Sequence, residues 1–450
     1  MTGNRHVDTS ASMAAAAATA EVLAATESPG RRLIMVDSPP GAGKSTLVVT
    51  LGRQRAERGD RVPVVTQTND QADDLARSFA ATFADSAFLI GRLHRTDYTV
   101  PADLASDPRV LCATQVTDLS GCAVVVAPAK KWAYVDGAGL NWRYGVIDEV
   151  YQMRSDGLQE IARLFPALVA VGDPGQLSPF TSGEEALVRG IDGSPLESAA
   201  DVLLRRPDAH HVTLPVSWRL TTAATELVSS AFYTVPFRAG TLPSARTLQL
   251  RGLGSDPVGQ VLGHAATSGW GLLELPEAFM PTADPGAVSA LSALVRRAIT
   301  AGGMCRDESD RLYPLDARGI AIGVAHREQV RAVRAELAPM LAELGLARDA
   351  VTVDTANRLQ GRQFELVLAW HPMSGRASSG SFHVDAGRLC VLLTRHRQAC
   401  VLVTRAGLRA RLDAYPQPDP LWLGERENTV DGWEANLQVL EKLAQHRVAA

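Results

Sequence analysis

Short apolar runs alternate with stretches of helical spacing along most of the 450-residue chain. Runs that are apolar throughout are typical of parallel strands that helices cover on both faces. The pattern therefore predicts an α/β fold built on parallel sheets. The first series of strand-like runs is LIMV, VPVV, AFLI, AVVV, YGVI and ALVAV, and the second is HHVTLPV, GIAIGV, VTVDT, LVLAW, CVLLT and CVLVT.

Two series of strands predict two domains, which we place at residues 28–205 and 206–410. Between the first and second strands of the later series, residues 221–315 carry a weaker pattern that is rich in Gly and Pro. We expect irregular connecting structure there, with one helix at 288–301.

The two ends of the chain have patterns of their own. Residues 1–27 contain an Ala-rich run that predicts a helix capping the first domain. Residues 411–450 begin with a segment, YPQPDPLW, that breaks regular structure, and they end in an amphipathic helix. Docking of this helix onto the second domain is the preferred interpretation, and binding of a partner protein is the alternative. Its apolar face is formed by Trp433, Leu437, Leu440 and Leu443.

Composition describes an ordinary soluble globular protein, with 46% hydrophobic and 21% charged residues. A formal net charge of −4 does not indicate a dedicated nucleic-acid binder, so any groove for a polyanion must be local. Five cysteines without a CxxC pair predict free thiols in a reducing cytoplasm. No apolar run approaches the ~20 residues of a membrane span, and we expect no membrane partner.

The segment LIMVDSPPGAGKST, residues 33–46, leads an apolar strand into a glycine-rich turn and a helix. Gly41 and Gly43 allow the backbone N–H groups to face phosphate oxygens, and the helix directs its positive dipole end at the same anion. Lys44 supplies a point charge for the β and γ phosphates, and Ser45 a hydroxyl for Mg²⁺. Only four lysines occur in the chain, which sets Lys44 apart. The loop as a whole, including Pro40, Ala42 and Thr46, predicts a phosphate site.

Acidic and amide side chains follow two later strand-like runs, YGVI and ALVAV. Asp148 and Glu149 stand at the end of YGVI, where one carboxylate can bind Mg²⁺ and the other can accept a proton from attacking water. We assign Asp148 to the metal and Glu149 to the base. Gln176 follows ALVAV and is a candidate sensor of the γ-phosphate.

The ordered motifs PPGAGKS, DEVYQ, GDPGQLSP, VSWR, VDTANRLQGRQ and RLCVLLTRHR resemble those of superfamily 1 helicases from about Leu33 to Thr404. The forms DExxQ and GDxxQLxP are similar to subgroup B, and the later motifs resemble its RNA-surveillance-helicase branch. The resemblance implies two RecA-like P-loop NTPase domains, ATP and Mg²⁺ as cofactors, and single-stranded DNA or RNA as partner.

Individual roles also follow from the resemblance. It implies that Arg219 and Arg395 act as arginine fingers from the second domain, that Trp218 stacks on the base, and that Gln360 and Gly361 link nucleotide state to the nucleic acid. The sequence departs from the family at Ser38 and Gln363, and no glutamine precedes Gln54. We therefore expect relaxed selectivity for the base.

Two segments are candidates for nucleic-acid contact. The segment VVTQTNDQADDLA resembles a strand, loop and helix that present Thr66, Thr68 and Asn69 to backbone phosphates. The segment APAKKW joins Lys130 and Lys131 to an aromatic ring, Trp132, and suits phosphate contact with base stacking. A solvated loop remains the alternative for the two lysines.

These observations predict an ATP-dependent helicase or translocase on single-stranded nucleic acid, moving 5′ to 3′ if the subgroup resemblance holds. The alternative is an ATPase switch that grips a nucleic acid or protein without unwinding. A small-molecule kinase is a third option, which predicts no role for Gln176, Gln360 or Arg395.

Overall fold

A computed structural model of the chain describes residues 6–137, 140, 142–177, 179, 197–377, 380–414 and 430–450. Two large parallel sheets, each covered by helices on both faces, form two RecA-like lobes, so the predicted fold class is confirmed. The segment YPQPDPLW lies outside the described residues. Among the described residues, no helix is both long and apolar enough to cross a membrane.

The sheet of the first lobe has eight strands in the order β4-β3-β5-β2-β6-β7-β1-β8, and every neighbouring pair is parallel. Most of its residues are buried because helices cover both faces. The strands are β1 Leu33–Asp37, β2 Val62–Thr66, β3 Leu89–Leu93, β4 Val110–Ala113, β5 Cys122–Pro128, β6 Gly145–Asp148, β7 Leu168–Gly172 and β8 Ala209–Thr213.

Helices of the first lobe form two apolar layers with the sheet between them. The N-terminal helix is present as predicted, and it packs on β1 and β8 through Ala18, Val22 and Ala25. The helices are α1 Thr9–Ala25, α2 Lys44–Glu57, α3 Asn69–Thr82, α4 Ala102–Ala105, α5 Ala129–Trp132, α6 Ser155–Ala162 and α7 Ala199–Leu204, with 3-10 turns at Val116–Leu119 and Val150–Gln152.

The sequence pattern assigns the run HHVTLPV to the second domain, and this prediction is wrong. Strand β8, which contains the start of the run, pairs in parallel with β1, with Leu33 opposite Ala209. The chain therefore leaves the first sheet after Thr213 rather than at residue 206. An apolar run predicts a strand, but which sheet the strand joins depends on pairing with a segment far away in the sequence.

The second lobe contains a six-stranded sheet in the order β16-β15-β17-β18-β12-β19. Two small sheets, β10-β9 and β11-β13-β14, are formed by residues between β8 and β15, a stretch that also contains β12 of the six-stranded sheet. The strands are β9 Val216–Ser217, β10 Arg238–Ala239, β11 Thr247–Gln249, β12 Trp270–Leu275, β13 Met304–Arg306, β14 Leu312–Pro314, β15 Ile320–Val324, β16 Thr352–Thr355, β17 Phe364–Trp370, β18 His396–Arg405 and β19 Arg447–Ala449.

Helices of the second lobe also cover both faces of its sheet. They are α8 Thr222–Phe232, α9 Pro257–Ser268, α10 Pro285–Thr300, α11 Arg327–Glu343, α12 Ala356–Leu359, α13 Ser381–Val384, α14 Ala386–Leu393, α15 Leu408–Ala414 and α16 Gly432–Leu443, with 3-10 turns at Ala317–Gly319 and Ala444–His446.

Two local predictions in this lobe are wrong. The run CVLLT belongs to α14, a helix that Asp385 caps by accepting a hydrogen bond from the Arg388 N–H. Its residues 388–393 are all buried, so the helix has the continuous apolar sequence of a strand. Residues 221–315 are also more regular than expected, since they contain α8, α9 and β12 besides the predicted α10.

The C-terminal helix α16 docks on the second lobe, against α8 and α14. Leu440 and Leu443 are buried there, and the indole of Trp433 donates to the carbonyl of Leu412 at 3.1 Å. The predicted face is therefore covered by the chain itself, and its suggested use for a partner protein has no support.

Candidate nucleotide site and nucleic-acid face

The phosphate loop connects β1 to α2 as the motif predicts. Gly41 and Gly43 have positive φ angles of 76° and 91°, which a residue with a side chain rarely adopts. Gly43 caps α2, so the free N–H groups of the first helical turn open onto the loop. The side chains of Ser45 and Thr46 are exposed at the same end of the helix. The loop can therefore accept a phosphate group.

Lys44 lies among the acidic residues at the end of β6. Its ammonium group forms an ion pair with Glu149 and lies 3.5 Å from Asp148. Burial alone would lower the pKa of Lys44, but the two carboxylates raise it above its ordinary value, so the side chain stays charged. The three side chains form one polar cluster where β1 and β6 end.

The two carboxylates of this cluster are held differently. Asp148 accepts a hydrogen bond from the Glu149 N–H at 3.0 Å, and burial raises its pKa although Lys44 opposes the change. Glu149 has a φ of 57°, which is unusual for a residue with a side chain. Strained backbone of this kind persists where the surrounding structure fixes it, and it is frequent at functional sites.

A chain of hydrogen bonds runs from the end of β7 into the second lobe. The side-chain amide of Gln176 donates to the Asp173 carboxylate, and its oxygen Oε1 accepts from Nε2 of Gln360 at 2.9 Å. The Tyr233 hydroxyl donates to the other Asp173 oxygen at 2.6 Å. Burial raises the pKa of Asp173 to about 6 in spite of these hydrogen bonds. Gln176 and Gln360 are therefore in direct contact, and Tyr233 is a site residue that no sequence motif indicated.

Residues 217–219 lie directly against the phosphate loop. The Ser217 hydroxyl donates to the carbonyl of Pro40 at 2.6 Å, and the Trp218 N–H donates to that of Gly41 at 2.8 Å. A Cβ atom on Gly41 would lie 2.3 Å from Cβ of Arg219, so only glycine permits this approach. The start of the second lobe thus forms one wall of the phosphate loop.

The two predicted arginine fingers occupy buried positions near the acidic cluster. Burial and the charge of Arg395 lower the pKa of Arg219 to about 9, and burial lowers that of Arg395. Arg395 donates to the Val391 carbonyl at 3.1 Å and to the Thr394 hydroxyl at 2.6 Å. Nη1 of Arg219 is buried and has no hydrogen-bond partner among the described residues. An anion between the two guanidinium groups would offset their repulsion.

Gln363, which departs from the family motif, contacts the first of these arginines. With its amide oxygen toward Arg219, Gln363 accepts hydrogen bonds from Nε at 3.3 Å and Nη2 at 3.2 Å. The neighbouring Gly361 is exposed and has a φ of 81°. The turn at residues 361–363 therefore positions a side chain on Arg219.

A cavity of about 450 Å³ opens beside the phosphate loop, within the range of small-molecule sites. Trp218 lines one side, and a Cβ atom on Gly240 would lie 2.4 Å from the indole ring, so the ring rests on bare backbone. Helices α1 and α2 form the other walls. Their polar groups in the lining are the hydroxyls of Ser12, Thr19, Thr46 and Thr50.

Arg246 is a further residue that the sequence analysis missed. Its guanidinium group donates to the carbonyl oxygens of both Trp218 and Arg219, the former at 2.6 Å. Glu308 accepts from Nε of the same group at 2.8 Å, and Arg246 is only 7% exposed. A buried cation thus holds the segment that lines both the cavity and the phosphate loop.

The proposed nucleic-acid residues lie along the carboxyl ends of β2 and β5. Two of them are unsuited to direct contact. Trp132 is fully buried and donates its indole N–H to Val64 at 3.0 Å, so its ring cannot stack on a base. Thr66 is also fully buried, and its hydroxyl donates to the Thr68 carbonyl at 3.0 Å. The motif APAKKW alone does not reveal whether its aromatic side chain enters the core or faces solvent.

The other candidates stay near the surface. The Thr68 hydroxyl caps α3 by accepting from the Gln71 N–H, and the side-chain oxygen of Asn69 accepts from Arg92 at 3.0 Å. Lys130 is exposed and Lys131 half-buried. These four residues remain candidates for phosphate contact.

The fold and the phosphate loop together define a P-loop NTPase with two RecA-like lobes. Two family models, each described as an AAA domain, match residues 15–189 and 197–407, which is most of the chain. Both models are of the superfamily 1 helicase type, so the chain contains two AAA domains of that type. No curated protein matches it.

Solved helicase structures are similar to the chain at low identity. The arterivirus nonstructural protein 10 helicase is 14% identical, with 89% of this chain and 63% of that chain covered and a TM-score of 0.44. The same helicase in complex with DNA is 13% identical, with 87% of this chain and 63% of that chain covered and a TM-score of 0.44. The DUF1998 helicase MrfA bound to DNA is 10% identical, with coverage of 91% and 50% and a TM-score of 0.47. This chain thus spans between half and two thirds of those chains.

Proposed function

We propose that the protein is an ATP-dependent helicase or translocase that acts on single-stranded DNA or RNA. One observation carries this proposal: residues from both lobes converge on the phosphate loop. Glu149 of the first lobe reaches the loop through its ion pair with Lys44, and Arg219 reaches it from the segment that enters the second lobe. A site completed by two lobes responds to their relative movement, which a translocase requires.

The residues of the first lobe fit a nucleotide with its Mg²⁺. Residues 40–46 would hold the phosphates, while the exposed Ser45 hydroxyl and the Asp148 carboxylate supply the oxygen ligands that Mg²⁺ prefers. Bound Mg²⁺ would supply charge stabilisation at the phosphate oxygens. Glu149 would accept the proton of the attacking water, and Lys44 would exchange its carboxylate partners for phosphate oxygens.

The residues of the second lobe would complete the site. Arg219 and Arg395 would neutralise charge on the γ-phosphate. This role accounts for two buried guanidinium groups, one of which has an N–H without a partner in the part of the chain that the structure describes. Gln176 would detect the γ-phosphate and Gln360 would receive that signal through their hydrogen bond. Gly361 permits the turn that brings Gln363 to Arg219.

The base would occupy the cavity beside Trp218 and stack on its ring. The polar side chains that α1 and α2 contribute to its lining are hydroxyls, which both donate and accept hydrogen bonds and so do not distinguish amino from keto groups. We therefore propose relaxed selectivity among nucleoside triphosphates. Turnover rates of ATP, GTP, CTP and UTP within about tenfold of one another support this, since a site built to read one base discriminates far more strongly.

The resemblance of the motifs to subgroup B and its RNA-surveillance-helicase branch supports 5′ to 3′ movement. The ATPase switch without unwinding remains the second candidate, because the net charge is −4 and Lys130 is one of few exposed lysines. Duplexes with a 5′ or a 3′ single-stranded overhang separate the possibilities. Unwinding from the 5′ overhang alone supports the proposed polarity, and stimulated turnover without unwinding supports the switch.

ATP turnover with and without single-stranded DNA or RNA tests the proposal itself. We expect one of the polymers to stimulate the wild type, and Lys44→Ala and Glu149→Gln to abolish turnover in folded protein. Glu160→Gln is a matched control because Glu160 is exposed on α6. No turnover in the wild type would overturn the proposal, and unchanged turnover in Glu149→Gln would remove the assignment of the base.

A further inference from the structure

We infer that Tyr134 is a stacking platform for a base of single-stranded nucleic acid, an inference that rests on the proposed function. Tyr134 follows α5 at the carboxyl end of β5, and 82% of it is exposed. It is the most exposed of the large hydrophobic residues that the structure describes. The stacking role predicted for Trp132 is wrong, but an exposed aromatic ring stands two residues later in the same loop.

The turn that carries Tyr134 is held firmly on both sides. Trp132 and Val135 are buried, which fixes the backbone before and after the exposed ring. The Arg163 guanidinium donates to the carbonyls of Ala133 at 3.2 Å and Val135 at 2.9 Å, one on either side of Tyr134. A ring presented by a rigid turn loses little conformational entropy when a base stacks on it.

The surroundings of Tyr134 suit a nucleic-acid strand better than an apolar partner. Lys130 is exposed in the short helix α5, four residues before Tyr134, and the next residue, Lys131, is half-buried. Two of the four lysines of this arginine-rich chain are therefore found within four residues of the ring. Ammonium groups next to an exposed aromatic ring provide phosphate contact and base stacking together.

The position of the turn connects it to the other candidates and to the nucleotide site. Pro128 at the end of β5 pairs with Thr66 at the end of β2, so the Tyr134 turn lies beside the loop that carries Thr68. That loop in turn contacts the acidic cluster, because Gln67 donates to the Asp148 carbonyl at 3.2 Å. A strand bound on Tyr134 would follow the same sheet edge toward the nucleotide site.

Binding of a single-stranded oligothymidylate and of an abasic oligonucleotide of equal length tests the inference. Stacking of one base is worth ~1–3 kcal/mol, so we expect Tyr134→Ala to bind the oligothymidylate roughly 5- to 150-fold more weakly. Tyr134→Phe should retain wild-type affinity, because only the ring is needed. The abasic strand should bind Tyr134→Ala and wild type equally. Phe279→Ala, at a position 65% exposed, should leave both affinities unchanged.

Three outcomes separate the inference from the proposed function. Wild-type protein that binds neither oligonucleotide would overturn the proposed function. Wild-type protein that binds, with Tyr134→Ala equal to it on the oligothymidylate, would overturn the role of Tyr134 alone. An equal loss on the abasic strand would also overturn it, because the loss would then not come from stacking. Thermal unfolding should show that Tyr134→Ala remains folded, as expected for so exposed a side chain.

Discussion

Replacing Arg246 by methionine removes a buried guanidinium group that donates to the backbone carbonyls of Trp218 and Arg219. Methionine keeps most of the apolar stem and loses the guanidinium group, so the carbonyls of both residues lose their donor. In the variant, the Glu308 carboxylate still has the guanidinium group of Arg397 at 3.5 Å, so it keeps a cationic partner. The substitution therefore tests how far the position of this segment depends on Arg246.

The size of the effect follows from the contacts that remain. A hydrogen bond from a charged group contributes about 1.5–3 kcal/mol, which sets an upper bound of roughly 3–6 kcal/mol for the pair. Ser217 and Trp218 still form hydrogen bonds to Pro40 and Gly41 in the variant. We therefore expect the loss of transition-state stabilisation to be about half of this upper bound. A loss of about 1.5–3 kcal/mol lowers kcat/KM for ATP roughly 10- to 150-fold.

The assay is steady-state ATP turnover of Arg246→Met, Arg219→Ala and the double variant, with thermal unfolding measured for each. A positioning role predicts that the double variant is little worse than Arg219→Ala, because Arg246 acts through the segment that Arg219 occupies. Glu308→Gln serves as the control that keeps an acceptor oxygen for Arg246 and should have a much smaller effect. Turnover of Arg246→Met within twofold of the wild type would refute the reasoning, as would full additivity with Arg219→Ala.

Three further predictions follow from individual side chains. Burial raises the pKa of Asp173 from 3.8 to about 6, so this carboxyl contributes stability that is present below about pH 4 and lost as the pH rises through 6. As the pH rises from 4.5 to 7.5, the free energy of unfolding of Asp173→Asn, measured with denaturant, should therefore increase relative to that of the wild type. A difference between the two proteins that does not change with pH would contradict this. Gly41→Ala should abolish nucleotide binding because its Cβ would meet Arg219, whereas Gly59→Ala, with a similar φ of 82° and nothing within 4 Å, should bind as the wild type does. Leu440→Ala should lower the free energy of unfolding by about 2–5 kcal/mol, since Leu440 is 5% exposed, and a loss below 1 kcal/mol would show that α16 is loosely docked.

The fold could be predicted from the sequence where strands are buried on both faces. Runs such as LIMV and CVLVT are continuous because every residue of β1 and residues 398–405 of β18 are buried. The same physics explains the error at α14, a buried helix whose sequence is equally apolar. It does not explain β8, since strand pairing between distant segments is absent from any local window.

The candidate site was predictable where its geometry is local. The phosphate loop and the pair Asp148 and Glu149 depend on glycines and carboxylates at fixed distances from strand ends, and they cluster as expected. Arg246 and Tyr134 escaped prediction for another reason. Their roles depend on contacts with residues 27 or more positions away, Arg219 and Arg163, which no motif encodes.

The contacts between the lobes indicate how a nucleotide would be sensed by both. Leu177 follows the last strand-end motif of the first lobe, yet its side chain belongs to the apolar core of the second. A Cβ atom on Gly387 would lie 2.6 Å from the carbonyl oxygen of Gln176, so α14 packs directly on this loop. Residues 217–219 make the reciprocal contact, from the second lobe to the phosphate loop. Because each lobe contacts a segment of the other beside the phosphate loop, rotation of either lobe would move Gln176 or Arg219, and a γ-phosphate held by them as proposed would favour one arrangement of the lobes over another.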